Sequence, residues 1–531
     1  MHQGGRFQVG LFLLNVLLLQ AARTLLFSSC CAVEAIDACS SGSSSSSSSS
    51  EICSDGMDPA LQAMTLDDGS TFYAYVQPDV STFYPPDQKS WMNRKTIRPN
   101  DNQIAGRFVN LSSEDLVLMW IPANAKSDFI YIASIGSFEV GGTATFVGHK
   151  FCFAPPNDTD ACVKTFDIVK GVARYAFAPY LDGSADAPAQ KHNNMRSLQQ
   201  LTVEEKEKLK KLTKNEEFAK QYRAFTGRDY LALHPRSRPI HYMWPAAHFD
   251  QTHTVSTKET HFASLPPNDR LGPIDPMLTD RRKLSQDSPR ILHEYRAAES
   301  TLQMNLTVLS VAPRVFEIDH FLSPVEVDHI LNLATGLTLA ESTTSGNFDD
   351  SDTEGAKDYK ERTKTRTSKN TWLHREHSPI IDCVYRRAAD LLRIDEALLR
   401  RRGVDEFPHL GSQRSIAEAL QLVHYDVGQE YTAHHDFAYP STMDAYQPVR
   451  FATILLYLNE GMDGGETSFP RWINGHTYKE LKVTPKIGKA VLFYSMLPDG
   501  NQDDLSQHAA MPVTKGEKWL TNLWVWEPIY G

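Results

Sequence analysis

The chain has 531 residues, with 54 Lys and Arg against 65 Asp and Glu for a net charge of −11, and 41% of it is hydrophobic. That apolar share is enough for packed cores and excludes a wholly disordered chain, while the acidic balance leaves no surplus of positive charge to neutralise phosphates and so argues against nucleic acid as a partner. Beyond the first thirty positions no apolar run reaches membrane-spanning length, which excludes a multi-pass membrane protein, and the length predicts roughly two to three domains.

In chain order, Arg6 precedes an apolar run from Val9 to Leu19 with Ala21 and Ala22 behind it, the layout of a secretory leader. A cleaved signal peptide, an uncleaved single membrane anchor and a transit sequence all fit residues 1–30, and each takes them out of the fold. The expected location is the secretory pathway, in the lumen of the endoplasmic reticulum or Golgi. Residues 31–60 include the run Ser43 to Ser50 and predict a flexible linker. Cys30, Cys31, Cys39 and Cys53 lie in or beside the leader; Cys152 and Cys162 flank the turn-rich PPNDTDA. That loop would bring the latter two together as a disulfide in an oxidising lumen, the alternative being two buried thiols. Sequons at Asn110, Asn157 and Asn305 are compatible with a glycoprotein.

Residues 61–200 predict a small all-β sandwich module, with short β-rich runs such as Leu116–Trp120, Phe129–Ile132 and Thr145–Val147 separated by Gly, Asn and Ser turns. From Leu201 the pattern changes: Thr202 with Glu205 forms a capping box ahead of EEKEKLKKL and NEEFAKQYRAF, which predicts two short helices. Residues from about His234 to Ser300 show no periodicity, so 201–312 reads as a helical and irregular connector. A further domain, 313–531, begins with a strand at Val315–Ile318 and a helix capped by Ser323, Pro324 and Glu326. Asn347 to Thr365 reads as a mobile loop. Ser378-Pro379 starts a second helix with Ile380, Val384, Ala388 and Leu391 on one stripe. Strand-like runs follow at Leu420–Val427, Phe451–Leu458, Ala490–Tyr494 and Leu520–Trp526. The class is α+β, with helices on one face of a barrel or sandwich.

The chemistry concentrates in Tyr431-Thr-Ala-His434-His435-Asp436. In an extended segment residues i and i+2 face the same side, so His434 and Asp436 can share a metal while His435 faces away. A distant histidine completes a facial triad for non-haem Fe(II), leaving open positions for a chelating cosubstrate and O2; His508 is the candidate. Ten residues on, past a turn, Lys518 can return beside the metal to bind the far carboxylate of a dicarboxylate. Lys515 is a competing cation, though its place before Gly516 fits an exposed turn.

These residues resemble the prolyl 4-hydroxylase family of Fe(II) and 2-oxoglutarate oxygenases. The resemblance runs through RVFEIDHFLSPVEVDHI (314–330), RTSKNTWL (366–373), LVHYDVGQEYTAHHD (422–436), FATILLYL (451–458), DGGETSFP (463–470), GKAVLFYSMLPDG (488–500) and QHAAMPVTKGEKW (507–519). It implies a double-stranded β-helix, or jelly-roll, with catalytic iron on His434, Asp436 and His508. It also implies 2-oxoglutarate paired with Lys518 and lined by Tyr425, with Thr453 reaching the same pocket, and L-ascorbate as reductant. Arg366 and Trp372 match a segment that touches peptide at the mouth of the site, the alternative being that they pack a strand. The implied activity is hydroxylation of peptidyl proline in proline-rich or collagen-like chains, with release of succinate and CO2. A related oxygenase acting on another residue or a small molecule, and a hydroxyproline-binding protein with a silent barrel, are the rivals. Target and oligomeric state are not legible.

Residues 106–155 resemble the β-domain of the von Hippel-Lindau tumour suppressor, best at Thr145-Phe-Val-Gly-His149. That family's pocket for hydroxyproline maps onto Trp120, Tyr131, Thr145, His149 and Phe151, with Thr145 standing for Ser and Phe151 for Trp. The alternative is a β-sandwich whose aromatics are core.

Overall fold

The computed structural model describes residues 58, 60–79, 82–83, 103–123, 129–180, 195–232, 241–263, 301–342, 366–403, 414–437, 449–473 and 481–527. The leader, the serine run, its four cysteines and the loop expected at Asn347 to Thr365 lie outside the described residues. No described helix is long and apolar enough to cross a membrane.

The N-terminal strands are β1 (Leu61–Thr65), β2 (Thr71–Tyr75), β3 (Gln103–Asn110), β4 (Leu116–Ile121), β5 (Ile130–Ile135), β6 (Glu139–Phe146), β7 (Lys150–Ala154), β8 (Lys164–Asp167) and β9 (Arg174–Phe177). Among the described residues β1 pairs with β2, β6-β3-β9 make one sheet and β5-β4-β7-β8 another. Phe108 from the first sheet and Phe151, Phe153 and Phe166 from the second share one buried cluster. Cys152 and Cys162 are joined as a disulfide with Cα atoms 5.6 Å apart. The sequon at Asn110 is not an available acceptor: the residue is fully buried, and its amide donates to the carbonyls of Glu114 and Gly136 while accepting from Ser112. A tripeptide does not reveal burial, which is set by the sheet around it.

Instead of two short helices, a single helix α1 (Val203–Thr226) follows. Nothing between the two charged runs breaks it, since neither Gly nor Pro intervenes. Thr202 and Glu205 form the expected capping box, and Gly227 ends the helix in the left-handed region at φ 75°. The stretch read as an irregular connector contains β10 (Thr252–Lys258), which pairs antiparallel with β11 (Thr301–Ser310). Its alternation is faint because only Val255 and Thr257 are buried.

The remaining elements are β12 (Val315–Ile318), α2 (Pro324–Thr335), β13 (Ala340–Glu341), β14 (Lys369–Leu373), α3 (Pro379–Leu392), β15 (Leu420–Tyr425), β16 (Tyr431–His434), β17 (Arg450–Tyr457), β18 (Asp463–Gly464), β19 (Thr467–Phe469), β20 (Leu481–Val483), β21 (Ala490–Tyr494), β22 (His508–Ala510), β23 (Val513–Lys515) and β24 (Lys518–Trp526). Among the described residues nine strands run in the order β10-β11-β12-β21-β17-β24-β15-β14-β13, and four in the order β16-β22-β19-β20. The large sheet therefore extends back past Arg314 to include β10 and β11.

Strand periodicity sorts this sheet into two cores. On one face Leu422, Ile454, Leu492 and Leu523 pack with α2 and α3 through Ile330, Val384 and Ala388. On the other face Val423, Leu455, Phe493 and Leu520 meet Phe469 and Val483 of the four-stranded sheet. The stripe of α3 runs through Ile381 rather than Ile380, one position from expectation. The capping residue Glu326 also receives Arg387 of α3 in a two-point ion pair at 3.0 and 2.7 Å, with both side chains fully buried. This joins the two helices that cover the sheet.

Candidate active site

The site lies where the four-stranded sheet meets the inner face of the large one. His434 ends β16 and His508 begins β22, and the two are direct partners across the antiparallel pair. With Asp436 their ligand atoms lie within 4.8 Å of one another. His434 Nε2 is 3.8 Å from Asp436 Oδ1, and His508 Nε2 is 3.6 Å from Asp436 Oδ2. Each imidazole uses Nδ1 on a backbone carbonyl two residues earlier, His434 on Thr432 at 2.8 Å and His508 on Ser506 at 3.0 Å. With the proton on Nδ1, both Nε2 lone pairs are free to meet a cation.

Burial, reinforced by His508, holds His434 well below the usual histidine range. For Asp436 burial alone would raise the carboxyl, but His508, His434 and Arg450 outweigh it and hold it below the carboxylate range. The donor set is thus two imidazoles and one carboxylate, which suits Fe(II). Asp436 Oδ2 accepts from Thr453 Oγ1 at 2.7 Å and from the Trp524 indole at 3.0 Å, which fixes the carboxylate plane. His435 faces the other way, donating from Nε2 to the Asp504 carbonyl at 3.0 Å, and burial pushes it down to about 4.

Lys518 opens β24 directly opposite Tyr425 of β15, on the face of the large sheet that carries Trp524. It is fully buried, with Nζ 5.4 Å from the centre of the Tyr425 ring and 5.7 Å from that of Tyr457. Nζ has no hydrogen-bond partner among the described residues. Burial lowers its pKa to about 7. A buried amine held without an acceptor is a cost the fold would not carry without a ligand. Its surroundings therefore fit the far carboxylate of 2-oxoglutarate. Lys515 is exposed.

Two expected contacts differ, and a third keeps its place. Thr453 spends its hydroxyl on Asp436 and not on the cosubstrate pocket. Arg366 is buried, donating to Ser368 at 3.0 Å and Gln421 at 3.1 Å, with its guanidinium 4.8 Å above the Tyr431 ring. That ring stacks on His434 at 3.5 Å, so Arg366 supports the metal site from behind. Trp372 is 40% exposed on β14 and lies 6.0 Å from Trp524, and of the two it alone is open to a peptide. The roles of Trp524 and Tyr431 were missed. For Trp524 a signal existed, since it sits six residues after Lys518 and so on the same strand face.

In the N-terminal sheets Thr145 Oγ1 lies 3.1 Å from His149 Nδ1, and the His149 ring is 5.0 Å from Trp120. Phe151 is buried among core phenylalanines, and Tyr131 is exposed with its hydroxyl on Ser134.

Residues 420–526 match the model of the 2OG-Fe(II) oxygenase superfamily. "Probable prolyl 4-hydroxylase 3" of Arabidopsis thaliana is 33% identical over 230 residues, covering 41% of this chain and 71% of that protein. The chain belongs to the prolyl 4-hydroxylase family of 2OG-Fe(II) oxygenases. "Prolyl 4-hydroxylase subunit alpha-1" of Gallus gallus is 34% identical over 166 residues, 30% of this oxygenase and 27% of that subunit. The solved "viral collagen prolyl hydroxylase" of Paramecium Bursaria Chlorella virus-1, a 2OG complex, is 24% identical with a TM-score of 0.28, covering 40% of this chain and 95% of that one. The family implies Fe(II) and 2-oxoglutarate, and His434, Asp436, His508 and Lys518 fit them.

Proposed function

We propose that the protein is a prolyl 4-hydroxylase that hydroxylates peptidyl proline in proline-rich or collagen-like chains, using O2, 2-oxoglutarate and Fe(II) and releasing succinate and CO2. The observation that carries this reading is the convergence of His434, Asp436 and His508 beside a buried amine, Lys518, that has no acceptor among the described residues; the names of the relatives supply the proline. In this reading the two Nε2 atoms and the Asp436 carboxylate hold iron and leave open positions. Lys518 binds the far carboxylate of the cosubstrate, and Tyr425 and Tyr457 keep that carboxylate out of water. When bound, iron and 2-oxoglutarate supply the activation of O2 and the oxidation of a C–H bond, so no side-chain acid or base is needed. Trp372 offers an apolar wall to an extended peptide, whose ordering entropy is already low. Ascorbate as reductant belongs to the same reading, as does a jelly-roll description of the two facing sheets. The disulfide and the apolar N-terminal run support a secretory-pathway lumen.

The test is mass spectrometry of proline-rich and collagen-like peptides after incubation with enzyme, Fe(II), 2-oxoglutarate and ascorbate. Gain of one oxygen on proline is expected. Peptide-independent succinate alone, or oxygen on another residue, overturns the reading.

A second reading concerns the N-terminal sheets, favoured by the contact between Thr145 and His149 beside Trp120. These groups would accept and donate to the hydroxyl of hydroxyproline and would discriminate against proline, which leaves them unpaired. With Phe151 in the core and Tyr131 bonded to Ser134, the binding groups reduce to Trp120, Thr145 and His149. Titration of the full chain and of His149→Ala with matched proline and hydroxyproline peptides tests this. Equal binding of the two peptides refutes it.

A further inference from the structure

The loop from Leu497 to Gln507 connects the large sheet to His508, and it touches the metal site twice. The Ser506 carbonyl orients the His508 imidazole. The Asp504 carbonyl holds His435, which stands between His434 and Asp436 in sequence. Part of what fixes this loop comes from segments far earlier in the chain. Asp499, buried, accepts on Oδ2 from the Tyr222 hydroxyl of α1 at 2.7 Å and from the Tyr75 backbone N–H of β2 at 2.7 Å. Its Oδ1 accepts from Asn501 N at 3.0 Å. Asn501, also buried, accepts on Oδ1 from Leu231 N at 2.7 Å and donates from Nδ2 to the Asp229 carbonyl at 3.0 Å. Arg228 lies 3.5 Å from Asp503 Oδ1, and that same oxygen caps the turn leading to His508 by accepting from Leu505 N.

These contacts come from three N-terminal segments and converge on one turn, which Gly500 closes at φ 84°. Close packing does not fix the loop unaided. A cavity of about 250 Å³ opens at this seam, lined among others by Arg228, Asp229, Asn501, Asp504 and Leu505. Hydrogen bonds are directional where a partly hollow seam is not, so they set where Ser506 and Asp504 present their carbonyls.

We infer that Tyr222 and Asn501 are positioning residues for the metal centre: the segment before the oxygenase sheets is a structural part of the iron site, acting through the loop that carries His508. The chain of action is Tyr222 and Asn501 to Asp499 and the turn, from there to Asp503 through Ser506, and finally to His508 Nδ1 and His435. Partners that orient a ligand imidazole typically change metal affinity by about 10- to 100-fold when removed. A partner one step further out acts at the lower end of that range.

The inference rests on the reading of His434, Asp436 and His508 as metal ligands, and the experiment separates the two. The full chain is titrated anaerobically with Co(II), followed by its visible d–d bands, at a temperature where circular dichroism shows every variant folded. The parent should bind one ion and His508→Ala should not; a parent that binds none, or a His508→Ala that binds equally, overturns the ligand reading and with it the inference. Tyr222→Phe, which removes only the hydroxyl, should weaken Co(II) by about tenfold, with turnover recovering at saturating Fe(II). Phe218→Leu, in the same helix and packed against Tyr222 and Tyr230, should lower the melting temperature without changing metal affinity. If Tyr222→Phe binds Co(II) as tightly as the parent, or Phe218→Leu weakens it as much, the positioning role is refuted while the ligand reading stands. Should Tyr222→Phe not fold, Asn501→Ser, too short to reach Leu231 and Asp229, is judged by the same criterion.

Discussion

Replacing Lys518 by methionine should make the apoprotein more stable and the cosubstrate site much worse. The amine is fully buried, faces two tyrosine rings and has no hydrogen-bond partner among the described residues. Burial lowers its pKa to about 7 from 10.5. Between those two values the unfolded chain binds more protons than the folded one, so parent stability should climb as pH rises from about 7 towards 10.5. Below about 7 both states are protonated and the penalty is constant, a few kcal/mol at each pKa unit's worth of about 1.4 kcal/mol. Methionine carries no such penalty, so the variant should exceed the parent most at and below neutral pH, with the gap closing towards pH 10. Binding has the opposite sign. A buried carboxylate without its cation costs about 3–5 kcal/mol, or roughly two to four orders of magnitude in affinity. In the parent, 2-oxoglutarate binding above pH 7 must return a proton to Lys518, so affinity should fall by up to about tenfold per pH unit there. Thermal unfolding by circular dichroism against pH, and anaerobic titration of the Fe(II) protein with 2-oxoglutarate, measure both. A parallel pH profile of stability in the two proteins, or a loss of affinity below about tenfold, would refute the assignment of a buried, ligand-seeking amine.

Other substitutions follow from the same geometry. His434→Ala, Asp436→Ala and His508→Ala should each abolish tight Co(II) binding, whereas His435→Ala should keep it, since that ring faces the Asp504 carbonyl; equal effects at all four positions would sink the triad. Trp524→Phe removes the indole donor to Asp436 and should weaken metal by about 10- to 100-fold with little change in melting temperature, read in the same titration. Arg366→Ala should lower peptide-coupled and uncoupled 2-oxoglutarate turnover together, because it backs the Tyr431 ring on His434. Trp372→Ala should lower only the coupled reaction, and the reverse pattern would place Arg366 at the peptide. Expressed in a glycosylating secretory host, the protein should carry no glycan at Asn110; a glycopeptide there, from folded material, would contradict its burial.

Local rules reach a long way into this chain. The capping boxes at Thr202 and Ser323 are legible because a helix start is satisfied by residues three apart. The convergence of His434 and Asp436, with His435 turned away, is legible because a strand has a period of two residues. The same periodicity places Lys518, Leu520 and Trp524 on one side of β24, opposite Leu523 and Val525. Local pattern fails where the partner is far away in sequence or where a weak pattern is overridden. The strand β10 has only Val255 and Thr257 turned inward, and its existence depends on pairing with β11, where even the nearest partners, Lys258 and Thr301, are 43 residues apart in sequence. Thr453 in β17 and Arg366 just ahead of β14 carry no local signal of their roles, and only tertiary packing gives one to Asp436 and the other to the back of Tyr431. Tyr222 meets Asp499 across a separation of 277 residues. No spacing rule spans that distance, because the contact is created when α1 packs against the loop and not by any property of either segment alone. The sequence by itself determined the kinds of groups and the side of the strand each faces. Tertiary packing decided which of them share a hydrogen bond, because burial, distance and desolvation belong to pairs of surfaces.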